Sequence, residues 1–153
     1  MTVRSSAGST LQISATKPAT FDAAGYEALM FTEIGQVTDL GEFGRESTVI
    51  TFNPLGSRGT QKLKGSFNEG TITVSAGLSN ADAGQILAKA ASKSDEDYSF
   101  VINTQAGDEY FFQAKVMSFK VSIGSVESIT SVSITLEITT SNTGVGVVEV
   151  LAV

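Results

Sequence analysis

The sequence predicts a mainly β protein, a β-sandwich or half-barrel with one flanking α-helix. Apolar residues recur with period two through several runs, a single segment switches to helical spacing, and glycine-centred turn signals separate the runs. With 153 residues, 41% hydrophobic and 17% charged, the chain reads as one globular domain. A chain of that length buries roughly 70% of its unfolded surface.

Taken in order, residues 1–20 are rich in Ser, Thr and Ala and read as an N-terminal arm, the kind of end that frays unless tied down. A core domain is expected over 21–140, with short strands at 28–37, 47–53 and 98–103. In the next strand Ile72, Val74, Ala76 and Leu78 alternate with Thr71, Thr73, Ser75 and Gly77. A later one alternates Val132, Ile134, Leu136 and Ile138 with Ser131, Ser133, Thr135 and Glu137. Each has one apolar and one hydroxyl-rich face.

Between Glu109 and Ile123 the alternation changes phase. Tyr110, Phe112, Ala114 and Val116 carry the apolar side first, then Met117, Phe119, Val121 and Ile123. One extra residue near Val116 and Met117 predicts a β-bulge. Tight turns are expected at Gly107–Asp108 and Gly124–Ser125. The helix is expected over 80–93, capped by Ser79 or Asn80, with Ala83, Ile86, Leu87, Ala90 and Ala91 on its packing stripe. Residues 141–153 follow as a C-terminal arm.

The chain is acidic, with sixteen Asp plus Glu against ten Lys plus Arg and a net charge of −6. Yet 47–68 holds no carboxylate while Arg58, Lys62 and Lys64 all fall inside it. With Gly56, Gly59, Gly65 and Pro54, residues 53–65 read as a long, flexible, purely basic loop. A partner that is another copy of an acidic protein accounts for that charge better than nucleic acid, which calls for interleaved aromatics.

No cysteine, histidine or tryptophan is present. Disulfides and thiolate chemistry are thereby excluded, and so are the usual general base near neutral pH and the commonest metal ligand. No enzyme activity, cofactor or metal is expected. The stretch "GSRGTQK" (56–62) lacks the Gly-Lys-Ser/Thr ending of a phosphate-binding loop. "SDED" (94–97) lacks the spaced oxygens of a calcium loop and reads as a solvated linker. Asp22, Glu27 and Glu33 are possible acid/base groups that no spacing brings together. No apolar run reaches the roughly 20 residues of a membrane span, and residues 1–9 lack the apolar stretch of a signal peptide, so a cytoplasmic site of synthesis and no membrane binding are expected.

The run from Tyr26 to Leu87, with "GEFG" (41–44), "TFNPL" (51–55), "RGTQK" (58–62) and "KGS" (64–66), closely resembles the tail tube proteins of long, non-contractile-tailed bacteriophages. The likeness continues from Tyr110 to Thr139. It implies a β-sandwich with a flanking helix, related to contractile-tail and type VI secretion tubes, assembled as stacked hexameric rings in a virion tail built in the host cytoplasm. It further implies that the loop containing Asn53, Pro54, Leu55, Arg58, Gln61, Lys62 and Lys64 reaches the next ring. The implied partners are other copies of the chain and the tail tip or initiator, tape measure and terminator proteins, with genomic DNA passing through the lumen unbound.

A lumen that passes DNA suits hydroxyls and carboxylates rather than cations. Thr71, Thr73, Ser75, Ser131, Ser133, Thr135 and Glu137 fit such a lining, and they fit equally an ordinary wet sheet face. Two other classes remain open. One is a carbohydrate- or receptor-binding β-module of a virion surface, and the other a hydrolase, which has no credible base here.

Overall fold

A computed structural model describes residues 3–152. Its longest element, β8 (Glu109–Ser122), organises the rest. The N-terminal half of β8 pairs with β7 (Tyr98–Asn103) and its C-terminal half with β9 (Ser131–Thr139). Outward from β7 lie β1 (Thr10–Ser14) and β2 (Thr32–Ile34); outward from β9 lie β6 (Thr71–Gly77) and β3 (Val37–Asp39). All of these pairings are antiparallel. The fold is thus mainly β, as expected, and a short strand β10 (Val148–Val150) also pairs with β8.

The bulge falls where the alternation breaks. Register steps from Val116 opposite Leu136 to Ser118 opposite Thr135, leaving Met117 unpaired and exposed. The extra residue bends the strand and raises its twist, so the two halves of the sheet curl toward each other. Leu11, Ile13, Phe100 and Phe112 from one half thereby share a core with Ile72, Val74, Ile134 and Leu136 from the other. The rings of Phe100 and Phe112 stack at 5.5 Å. Beyond the bulge Phe119 still packs on this core, but Val121 and Ile123 project past it and are exposed.

Helix α2 (Ala83–Ser92) packs on β8, β2 and β1 by a stripe that keeps Leu87 and Ala91 of the expected one and replaces the rest. Its buried residues are Gly84, Gln85, Ala88 and Ala91, while Ala83, Ile86 and Ala90 face solvent. The reason is backbone accounting. The buried Gln85 side chain accepts from the Ser79 amide and donates to the carbonyls of Gly35 and Gly77, groups that the ends of β2 and β6 leave open. Gly84 lies against the Glu33 carbonyl with no room for a Cβ, which fixes the helix close to β2. The cap is Asp82, not Ser79 or Asn80. Its carboxylate accepts from Gln85 N at 2.9 Å and from Gly35 N at 3.0 Å, joining helix start and strand end in one group.

The strand expected over 28–37 is broken in two and shortened. A short helix α1 (Ala23–Glu27) comes first, then β2 and β3, separated by Gln36 at φ +62°. Tyr26 of α1 buries its ring against Phe111 at 5.3 Å and, with Val101, builds a second small core on the outer side of β7 and β8. Phe21, Leu29, Phe31, Val148 and Val150 pack around it. Segments read as arms contribute directly to the sheet: β1 lies between β2 and β7, and Thr16 O accepts from Ser99 Oγ at 2.7 Å. The turn at Gly107 is tight as read, with Thr104 N bonded to Asp108 O at 2.9 Å. At Gly124 a longer loop, 123–130, takes the place of the expected tight turn.

Candidate assembly interface

Strands β4 (Glu46–Phe52) and β5 (Gln61–Asn68) form a separate two-stranded sheet that shares no ladder with the main one. The basic segment is therefore not a loop over 53–65. Only 53–60 connects the strands, and Gln61, Lys62 and Lys64 lie on β5. The β-branched run Thr48–Thr51 and the alternation Lys62-Leu63-Lys64 match each other across the hairpin, which extends the pairing to Phe52 opposite Gln61. At the tip Thr60 Oγ1 donates to Asn53 Oδ1 at 2.7 Å, and Pro54 O accepts from Ser57 N. Asn53, Pro54, Leu55 and Arg58 all sit on this tip.

Cross-strand partners share a face. Val49 opposite Lys64 and Thr51 opposite Lys62 make one face basic; Ile50 opposite Leu63 and Phe52 opposite Gln61 make the other apolar. Neither face is covered. Leu55 is fully exposed, Val49 and Leu63 are 65% and 63% exposed, and Ile50 and Phe52 remain about half open. A two-stranded hairpin without a core is marginal in water. The alternation of apolar residues in "STVITF" and "KLK" carries this second face, which a reading of the segment as a loop passes over.

The root of the arm is fastened. Arg45, just before β4, donates through Nε to Glu69 Oε1, just after β5, at 2.8 Å. The Arg45 guanidinium also lies 3.8 Å from the centroid of the Phe67 ring. Glu69 is only 4% exposed, and Gly146 of the C-terminal segment packs against its side chain with no space for a Cβ.

The hydroxyl-bearing residues form one continuous surface. Thr71 is opposite Glu137, Thr73 opposite Thr135, Ser75 opposite Ser133 and Gly77 opposite Ser131. Thr71 Oγ1 donates to Glu137 Oε1 at 2.8 Å. The structure thus brings all seven expected residues together on the side of β6 and β9 away from the core. It adds two cations that the sequence reading omitted, Lys115 opposite Glu137 and Lys120 opposite Ser133. Following the alternation of β8 across its bulge locates both. Lys115 is ion-paired with Asp97, and Lys17 with Glu96 at 3.2 Å, so two carboxylates of "SDED" are matched to lysines.

Of the three possible acid/base groups, Asp22 has a structural role, while Glu27 and Glu33 are exposed. The Asp22 carboxylate caps α1, accepting from Gly25 N and from Thr20 Oγ1, each at 2.8 Å, and the backbone bond first, then the hydroxyl, hold it below the ordinary carboxylate range. Burial pushes the Tyr26 phenol up against a smaller opposing pull from nearby Gln113, although its hydroxyl makes no hydrogen bond of good geometry. Tyr110 is pushed up by burial, then by the negative charges of Asp108 and Glu149. Among the described residues no group of three or more Asp or Glu is placed to hold a metal ion. Among the described residues no helix is long and apolar enough to cross a membrane.

No protein family and no curated protein matches the sequence. Solved structures do match. A chain of the cryo-EM structure of the anti-feeding prophage baseplate, six-fold symmetrised, is similar at TM-score 0.67 and 11% identity, over 91% of this chain and 93% of that one. A chain of the SPP1 tail tube, a hybrid solid-state NMR and cryo-EM structure, is similar at TM-score 0.64 and 17% identity, over 95% of this chain and 77% of that one. The chain has a tail-tube-like fold. At these identities the likeness is one of fold.

Proposed function

We propose that the chain is a structural subunit of a bacteriophage tail tube, of the long non-contractile kind, and carries no catalysis. In this reading copies associate as hexameric rings, rings stack into a hollow conduit, and genomic DNA travels through it into the host without being bound. The tail tip or initiator, tape measure and terminator proteins are its further partners, and the assembled virion tail is its location. The observation that carries the reading is the β4–β5 arm. It exposes Ile50, Phe52, Leu55 and Leu63 on a hairpin without a core of its own, an arrangement that calls for a partner surface. The tail-tube-like fold supports the choice of partner, a second copy of the chain.

Negative-stain electron microscopy of concentrated protein, and of tails assembled with their initiator, tests this. Rings or tubes of uniform diameter are the expected result. A strict monomer under all salt conditions, together with tails that lack this chain, overturns it.

A further inference from the structure

The arm has two free strand edges, because among the described residues β4 and β5 pair only with each other. On the body of the molecule β10 is a counterpart: among the described residues it pairs only with β8, and its other side carries backbone groups with no strand partner. The edge of β2, by contrast, is closed off by the start of α2, where Gly84 sits on the Glu33 carbonyl.

Charge and alternation match as well. From 47 to 68 the arm has three cations and no anion. Exposed Glu149 in the middle of β10 lies beside Tyr110, and Asp108 and Glu109 lie at the adjoining end of β8. Arg45 lines the same notch as Glu149 but is committed to Glu69. The strand β10 reads Val148-Glu149-Val150, with its valines packed on the Tyr26 core. The incoming strand reads Lys62-Leu63-Lys64. With Lys64 opposite Glu149, Leu63 falls beside Val150 and extends that small core. The other exposed apolar loop, 123–130, holds Glu127 with Lys120 close by in sequence, and offers no comparable excess of negative charge.

We propose that the free β5 edge of one copy adds to the free β10 edge of a second copy, pairing Lys62 and Lys64 with the acidic surface around Glu149. This rests on the reading of the chain as a self-assembling subunit, and it names the surface that receives the arm.

Three variants compared with wild type by sedimentation of concentrated protein test it, with circular dichroism confirming that each is folded. E149K and K62E/K64E should each lower polymer yield at least about tenfold, since like charges then face one another at every repeat. The combined E149K/K62E/K64E variant should return it to within about threefold of wild type. Normal polymer from E149K, or loss without rescue, overturns the proposal while leaving the tube reading intact. Independently, the cysteine-free chain permits K64C/E149C. Cross-strand neighbours lie within disulfide reach, so a covalent ladder should appear on oxidation and be absent from either single variant. A ladder supports the contact even if no tubes form, and its absence from a polymerised sample overturns it.

Discussion

Arg45 and Glu69 meet across the root of the arm, 2.8 Å apart, with the carboxylate buried and the guanidinium half exposed. The pair encloses the entire β4–β5 hairpin between two residues. Because their burial differs, losing one partner is not equivalent to losing the other.

Removing the cation strands a buried charge. Arg45→Ala should destabilise the monomer by about 2–3 kcal/mol, adding the lost contact over Phe67 to the unpaired carboxylate. Glu69→Gln leaves a half-exposed guanidinium that water can serve and should cost about 1 kcal/mol. Urea unfolding of both variants checks the order, and a larger loss from Glu69→Gln contradicts it.

Deletions distinguish a bulge from a ladder. Removing Met117 keeps Val116 and Phe119 facing inward, so the chain should still fold, less curved and about 1–2 kcal/mol less stable. Removing Thr135 from the uninterrupted β9 turns one half of that strand inside out and should abolish cooperative unfolding. Thermal melts read both.

The Asp22 cap predicts an acid dependence. Its carboxyl is held below the ordinary value of 3.8 in the folded chain, so its contribution is complete above that value and is lost as pH falls through the lower, folded one. In Asp22→Asn this dependence is absent. The stability difference between wild type and variant should therefore shrink as pH drops below about 4. A difference that stays constant from pH 6 to pH 2 contradicts it.

The hydroxyl face has its own test. Thr73→Lys with Ser133→Lys places two new cations among Lys115 and Lys120. If this face lines the DNA path, tails should assemble but release DNA slowly at low salt, where phosphate contacts are least screened. Normal release at low salt moves the face away from the DNA.

Much of the fold was legible because alternation reports burial directly. The bulge at Met117 and the faces of β6 and β9 followed from which residues are apolar. What escaped depended on backbone groups. Nothing in the pattern "NADAGQILAKAAS" announces that Gln85 turns inward, since its burial answers the open carbonyls of Gly35 and Gly77, far away in sequence. The arm escaped for the opposite reason. Its glycines and proline read as a loop, and a hairpin whose apolar face stays half open, with Leu63 63% exposed, gives a weak burial signal. The root at Arg45 and Glu69 was invisible because its cover, Gly146, arrives from the far end of the chain.

Strand β1 has a consequence for how the molecule is made. Leu11 and Ile13 emerge early in synthesis, yet β7, the strand that flanks β1 on the inner side of the sheet, ends at Asn103 and β8 only at Ser122. β2 follows soon after, but most of the chain must leave the ribosome before β1 gains its inner neighbour. Pairings that span such sequence distances are slow to form, on the order of milliseconds to seconds in domains dominated by them. The nascent subunit therefore waits with two core residues uncovered, and its closure comes late, when the last third of the chain supplies the centre of the sheet.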